Sequence, residues 1–130
     1  MFGLPIHLVA HMTLMIAMIV FGIFGMIKAR FRKTGWFKQH RLLMFWSVIL
    51  GVSGVLVMAI FKMMNGYGHF QSEHSEHGLI AMIVMLLVFL CGNYFVMKFK
   101  FLKWPHRIAG YVALVLCLYV AYLGFSMILS

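Results

Sequence analysis

The chain has 130 residues, of which 65% are hydrophobic and only 10% are charged, and its Lys and Arg residues outnumber its acidic residues by 11 to 2. A water-soluble globular domain carries about 25% charged residues, so this composition excludes that class. Ten of the eleven basic residues lie in two short segments between apolar runs, which argues against a nucleic-acid-binding surface despite the net charge of +9.

Four apolar segments follow one another along the chain, at residues 6–27, 42–64, 79–97 and 108–129. A helix of about 20 residues crosses the hydrocarbon core of a bilayer, and each segment has about that length. The connections are short, so consecutive helices should be antiparallel neighbours. The sequence therefore predicts an all-α integral membrane protein, an up-down-up-down bundle of four helices forming a single domain over residues 1–130.

The first segment has no basic residue before it and is followed by Lys28 and Arg30 rather than by a cleavage site, so we do not interpret it as a signal peptide. The basic residues cluster in the first and third connections. The positive-inside rule predicts that these connections are cytoplasmic, and that both termini and the 65–77 loop are outside. The same clusters should attract anionic lipid head groups.

Glycines recur at fixed distances after a histidine in the first two segments. Positions +11 and +14 lie on the same helical face as the histidine, because successive residues are about 100° apart. The glycines at these two positions are Gly22 and Gly25 after His11, and Gly51 and Gly54 after His40.

The third and fourth segments show a weaker form of the pattern. His77 is followed by Cys91 and Gly92, and His106 by Cys117 at +11 and Gly124 at +18. Each predicted helix thus carries a histidine near its start, and in an antiparallel bundle these starts alternate between the two ends.

We interpret this arrangement as two pairs of axial ligands, His11 with His77 and His40 with His106, each holding one non-covalent haem b. Neutral imidazole is a common axial ligand of haem iron. Two imidazoles fill both axial positions and leave none open for oxygen, so such a haem is suited to electron transfer. Small residues on the ligand face would let a porphyrin approach the backbone. The alternative is that these glycines serve helix packing alone. The chain has no C-x-x-C-H, which excludes covalent c-type attachment.

Two other histidines compete for the outer site. His7 lies one turn before His11, and His74 lies one turn before His77 and has Gly92 at +18. A different interpretation of the segment "HFQSEHSEH" is a site for Zn or Cu, since histidine and carboxylate suit these metals. The same segment also fits a solvated helix N-terminus, where Glu is favoured by the helix dipole.

Haem propionates near hydrocarbon require polar partners. Arg41 and Arg107 follow the two inner histidines directly and could pair with them. Other candidates are Lys38 and Lys103 at the inner end, with Trp36 and Trp104 as head-group anchors, and Asn65, Tyr67, His69, Gln71 and His74 at the outer end.

The chain resembles the cytochrome b561 family, in particular its four-helix ferric-reductase-like core. The resemblance covers nearly the whole sequence and is carried by "HMTLMIAMIVFGIFGMIKAR" at 11–30, "WFKQHR" at 36–41, "HGLIAMIVM" at 77–85 and "HRIAGY" at 106–111. It implies the ligand pairs His11–His77 and His40–His106, two haems b and transmembrane electron transfer. No stretch resembles the ascorbate-binding motif of the vesicle-membrane members.

The predicted function is therefore electron transfer across the membrane, to or from a quinone or a partner redox subunit, by a homodimer or as a subunit of a larger redox complex. The alternatives are a small four-helix transporter and a non-redox assembly subunit. A proton-coupled transporter of this size usually needs a carboxylate within the membrane, and this chain has no Asp and only two Glu.

Overall fold

The computed structural model describes residues 5–68 and 72–129 and consists of four long helices. These are α1 (Ile6–Phe31), α2 (Trp36–Met64), α3 (Glu73–Leu90) and α4 (Lys103–Leu129). A π-helical turn, Cys91–Phe95, extends α3, and a short 3-10 turn, Lys100–Leu102, leads into α4. All four helical segments are long and apolar enough to cross a membrane, which confirms the predicted all-α four-span architecture.

Three helices begin five or six residues before the apolar segments that predicted them. Hydropathy marks the stretch that suits hydrocarbon, whereas a helix begins where its first N–H groups find a cap. In α3 this cap is Ser72, whose hydroxyl accepts a hydrogen bond from the Ser75 N–H in a capping box. In α4, Pro105 lies in the first turn. The backbone N–H that proline lacks would have no hydrogen-bond partner within the helix at this position, so proline does not destabilise α4 here.

A tight turn makes α1 and α2 antiparallel. Arg32 ends α1 in the left-handed conformation, with φ 45°, and Gly35 precedes α2 with φ 74°. The turn at residues 32–35 and the connection at 96–102 lie at one end of the bundle, called here the basic end. The start of α1, the end of α2, the start of α3 and the end of α4 lie at the other, the terminal end.

Glycines allow α1 and α2 to approach closely. A Cβ on Gly25 would lie 2.8 Å from the Met44 sulfur, and one on Gly51 would lie 2.6 Å from the Met18 sulfur. Gly54 is similarly crowded, with the Met15 methyl carbon 3.0 Å from the Cβ position. These three glycines therefore pack the first hairpin, in agreement with the packing interpretation of the sequence pattern.

Three side-chain hydrogen bonds fix the register of the first hairpin. At the terminal end His11 Nδ1 bonds to the Gly54 carbonyl at 2.9 Å, and at the basic end His40 Nδ1 bonds to the Gly25 carbonyl at 2.8 Å. Midway, Ser47, which is only 1% exposed, donates to the Met18 carbonyl at 2.8 Å. The shared +14 spacing explains the symmetry: in an antiparallel pair each histidine is level with the glycine that follows the other histidine.

The centre of the bundle is a small apolar layer contributed by all four helices. Its buried members are Met18, Val48, Ala81, Met82, Met85 and Cys117. The helices pack mainly in pairs, α1 with α2 and α3 with α4. The two hairpins meet at this central layer, and space remains between them toward either end.

Candidate functional site

A cavity of about 370 Å³ lies at the basic end and is lined by residues of all four helices. His40 of α2 and His106 of α4 both line it, and Gly22, Gly92 and Gly110 contribute backbone to its wall. Its volume is within the range of about 300 to 1,000 Å³ that is usual for cofactor sites. We call it the basic-end cavity.

A second cavity, of about 420 Å³, lies at the terminal end and is again lined by all four helices. We call it the terminal-end cavity. His11 of α1 and His74 of α3 line it, and their ring centroids are 6.2 Å apart with the rings nearly perpendicular, at 89°. Met18, Ile19 and Cys117 line both cavities, so the central apolar layer is all that separates them.

The second hairpin repeats the register of the first. His74 Nδ1 bonds to the Val120 carbonyl at 2.9 Å, and Val120 lies fourteen residues after His106. By the same spacing, Val88 lies fourteen residues after His74 and is level with His106. The Val88 carbonyl interacts with the His106 ring without reaching hydrogen-bond geometry, and His106 Nδ1 is buried with no bonding partner among the described residues.

Two further glycines make room for the imidazoles of α3 and α4. A Cβ on Gly92 would lie 2.6 Å from His106 Cε1, and one on Gly124 would lie 2.8 Å from His74 Cε1. Each glycine is eighteen residues after the histidine of its own helix and contacts the histidine of the other. The spacing therefore encodes a reciprocal contact between antiparallel helices.

The hydrogen bonds of His11, His40 and His74 determine which ring nitrogen can bind a metal. A carbonyl only accepts, so Nδ1 must carry the proton in all three rings. In a neutral imidazole this leaves the Nε2 lone pair available, and an Nδ1–H donated to a carbonyl is the usual support for a metal-binding histidine.

The separation of His11 and His74 fits two imidazoles that share one metal. Two metal–nitrogen bonds of about 2.0 to 2.1 Å, with a ring radius of about 1.1 Å at either side, give centroids about 6.3 Å apart. The measured 6.2 Å agrees with this value.

The donor set of each cavity is a pair of imidazoles, which fits the two axial positions of a haem. No group of three or more His, Cys, Asp or Glu side chains capable of holding a metal occurs among residues 5–68 and 72–129. Two imidazoles alone do not complete a metal site, whereas a porphyrin supplies four equatorial nitrogens of its own.

His77 does not line the terminal-end cavity. Its Nδ1 bonds to the Glu73 carbonyl one turn earlier at 2.7 Å, and its ring lies edge-on to Tyr119, with centroids 5.6 Å apart. The structure thus brings His74, the competing candidate, to His11. His7, the other competitor, stacks on Phe61 at 3.4 Å and is likewise absent from the cavity wall.

Of the four glycines predicted to face the ligand, only Gly22 lines a cavity. The Gly25 and Gly54 carbonyls contribute indirectly, because they accept the hydrogen bonds of His40 and His11. Gly51 packs against the sulfurs of Met18 and Met82 and contacts neither histidine pair.

Both arginines predicted as propionate partners line the basic-end cavity. Arg41 Nε donates to Asn93 Oδ1 at 3.1 Å, and the Arg41 guanidinium lies 5.7 Å from the centre of the Phe37 ring. Lys103 and Trp36 also line this cavity, whereas Lys38 and Trp104 do not.

At the terminal end, the predicted partners Asn65 and Tyr67 lie away from the cavity. Asn65 Nδ2 bonds to the Phe61 carbonyl and Tyr67 packs near the Phe61 ring. His69 and Gln71 lie outside the described residues. Lys62, which the sequence analysis did not select, lines the cavity instead.

The described part of the segment proposed as an alternative Zn or Cu site, residues 72–77, caps and begins α3, and residues 69–71 lie outside the described residues. Ser72 caps the helix, and Glu73 and Glu76 occupy its first turn, where the helix dipole favours negative charge. This agrees with the interpretation of the segment as a solvated helix N-terminus.

Sequence reasoning also missed Asn93, Arg30, Arg32 and Lys100 at the basic-end cavity. One pattern in the sequence distinguishes His74 from His77. His74 and His106 are each followed by a glycine eighteen residues later, Gly92 and Gly124. The contacts of Asn93 and Lys62 depend on how the two hairpins meet and had no such signal.

No protein-family model matches the chain, and neither curated proteins nor solved structures provide a match.

Proposed function

We propose that the protein is a dihaem b-type cytochrome that carries electrons between the two faces of a membrane. One haem would be held by His11 and His74 at the terminal end, and the other by His40 and His106 at the basic end. The proposal extends the resemblance to the cytochrome b561 family, with His74 in place of His77. Residues 1–130 would then form one transmembrane redox domain.

The observation that supports this most is the geometry of His11 and His74. They come from different hairpins, their ring centroids are 6.2 Å apart, and both bind main-chain carbonyls through Nδ1. This arrangement keeps both Nε2 atoms basic and fixes both rings before any ligand binds.

The positions of the two cavities support transfer across the membrane. His40 is level with Gly25, which lies fourteen residues after His11, so the two sites are about 21 Å apart along the bundle axis. A haem held by two histidines at each site would supply reversible one-electron chemistry and leave no coordination position open to another ligand. The central apolar layer lies between the two cavities, and cationic side chains line both of them.

Neither alternative has comparable support. Both acidic residues of the chain lie in the first turn of α3, so no carboxylate lies within the membrane to carry protons in a transporter. An assembly subunit has no need for four imidazoles in register. A quinone or a partner redox subunit would supply or accept the electrons, and a homodimer or a larger redox complex would be the working unit.

The test is the absorption spectrum of the protein purified from haem-sufficient cells. We expect a sharp b-type band after reduction with dithionite, and two haems per chain by the pyridine haemochrome assay. Replacing His40 with Ala should reduce the count to one. A monodisperse protein that is colourless, or that keeps two haems in this variant, would refute the proposal.

A further inference from the structure

The two cavities differ greatly in the positive charge around them. One cation, Lys62, lines the terminal-end cavity. Six cationic side chains line the basic-end cavity: Arg30, Arg32, Arg41, Lys100, Lys103 and Arg107. Neither wall includes Glu73 or Glu76, so no carboxylate offsets these charges.

Positive charge beside a redox centre favours the state that holds the extra electron. All six cations are exposed at the end of the bundle, where solvent and salt partly screen each one, so the effect depends on their number, six against the single half-buried Lys62. The charge distribution therefore stabilises a reduced centre at the basic end more than at the terminal end.

One of the six cations is held in place by the π-helical turn of α3. Asn93 lies in this turn, receives the hydrogen bond of Arg41 Nε on Oδ1, and donates from Nδ2 to the Phe89 carbonyl at 2.9 Å. π-helical turns inside helices frequently occur at functional sites. Here the turn also presents Gly92 to the His106 ring.

The hydrogen bonding of the axial ligands adds to the difference. His11 and His74 both donate Nδ1–H to carbonyls, which would strengthen electron donation from their Nε2 atoms to a bound iron and favour its ferric state. At the basic end His40 does so, but His106 Nδ1 has no partner among the described residues.

We propose that the His40–His106 site has the higher reduction potential of the two, and that Asn93 is a positioning residue that holds Arg41 beside it. This inference rests on the proposed function. In a molecule holding one electron, the ferrous centre would be at the basic end. An electron supplied at the terminal end would pass to the basic end, with the His11–His74 centre oxidised and the His40–His106 centre reduced.

A spectroscopic redox titration of the full chain, poised with dithionite and ferricyanide, tests the proposal. We expect two midpoint potentials. Each is assigned with single-site variants, because His11→Ala should keep only the basic-end centre and His40→Ala only the terminal-end centre. The centre remaining in His11→Ala should titrate at the higher potential.

Charge variants test the cause of the difference. Lys103→Gln should lower the higher midpoint and leave the lower one unchanged. Its matched control is Lys33→Gln, which removes an exposed lysine at the same end that does not line the cavity and should move neither midpoint.

The role of Asn93 is tested by a double-mutant cycle. Asn93→Leu and Arg41→Gln should each lower the higher midpoint, and the double variant should lower it no further than Arg41→Gln alone. Additive effects would show that Asn93 does not act through Arg41.

The outcomes separate this inference from the proposed function. A protein without haem would refute both. Two haems with equal potentials, or with the higher potential at the His11–His74 site, would overturn the inference and leave the dihaem assignment standing.

Discussion

At the residue scale, the position of a histidine's hydrogen-bond acceptor separates the cavity histidines from the others. His11, His40 and His74 bond to carbonyls of a neighbouring helix, which turns their rings across the space between helices. His77 bonds to Glu73 of its own helix, and its ring stays against Tyr119. Two histidines of α3 that are only one turn apart thus orient their rings differently.

This difference predicts distinct results for two neighbouring substitutions. His74→Ala should reduce the haem content from two to one per chain, because it removes an axial ligand of the terminal-end site. His77→Ala should leave two haems, because that ring does not line the cavity. The pyridine haemochrome assay on monodisperse protein measures both, and the reverse result would restore His77 as the ligand.

The glycines beside the His106 and His74 rings give a second prediction. The methyl group of Gly92→Ala would lie 2.6 Å from His106 Cε1, and that of Gly124→Ala would lie 2.8 Å from His74 Cε1. Each should displace its ring and lower haem occupancy at that end only. The two variants control for each other, because in a redox titration each should retain the centre that the other loses; loss of both centres from either variant would indicate general misfolding instead.

At the element scale, the α1–α2 hairpin is held by close backbone contact and by the Ser47 hydrogen bond at its midpoint. Between membrane helices, packing of small residues and interhelical hydrogen bonds replace the hydrophobic driving force. The pattern of glycines selected from the sequence therefore had a real structural basis. Its main role is the packing of the two helices, and it reaches the cavities through Gly22 and through the carbonyls of Gly25 and Gly54.

Ser47→Ala should lower the free energy of unfolding by about 0.5 to 1.5 kcal/mol, since it removes a buried hydrogen bond between the two helices. Thr13→Ala is the control, because the Thr13 hydroxyl bonds to Val9 of its own helix and is exposed. Unfolding in mixed micelles with increasing dodecyl sulfate measures the difference. Equal effects of the two substitutions would argue against a special role for the α1–α2 contact.

The starts of the helices were only partly predictable. The apolar segments gave the number of helices and the ends of α2 and α4, but α3 begins at Glu73 rather than residue 79, because Ser72 and Ser75 form a cap in a polar segment. The π-helical turn at Cys91–Phe95 had no sequence signal. Gly92 in this turn faces the His106 ring, which belongs to a different helix.

At the scale of the whole molecule, the basic residues are concentrated at one end of the bundle, and both acidic residues are at the other. The positive-inside rule then predicts a cytoplasmic basic end, with the terminal end outside. A C-terminal alkaline phosphatase fusion in a bacterial host should be active, and one placed in the turn at residues 32–35 should be inactive. The opposite activities would reverse the predicted orientation.

The sequence alone determined that the molecule has four membrane-length helices with histidines near their starts, because both features depend only on local hydropathy and on spacing along one chain. It also encoded the register of each hairpin, through equal +14 spacings on two antiparallel helices. The glycine at +18 distinguishes His74 from His77 in the sequence, but only the tertiary structure decided how close the His74 ring comes to His11, and that Asn93 and Lys62 reach the cavities. These contacts join different hairpins, and the rotation of one hairpin against the other leaves no periodic signal in either.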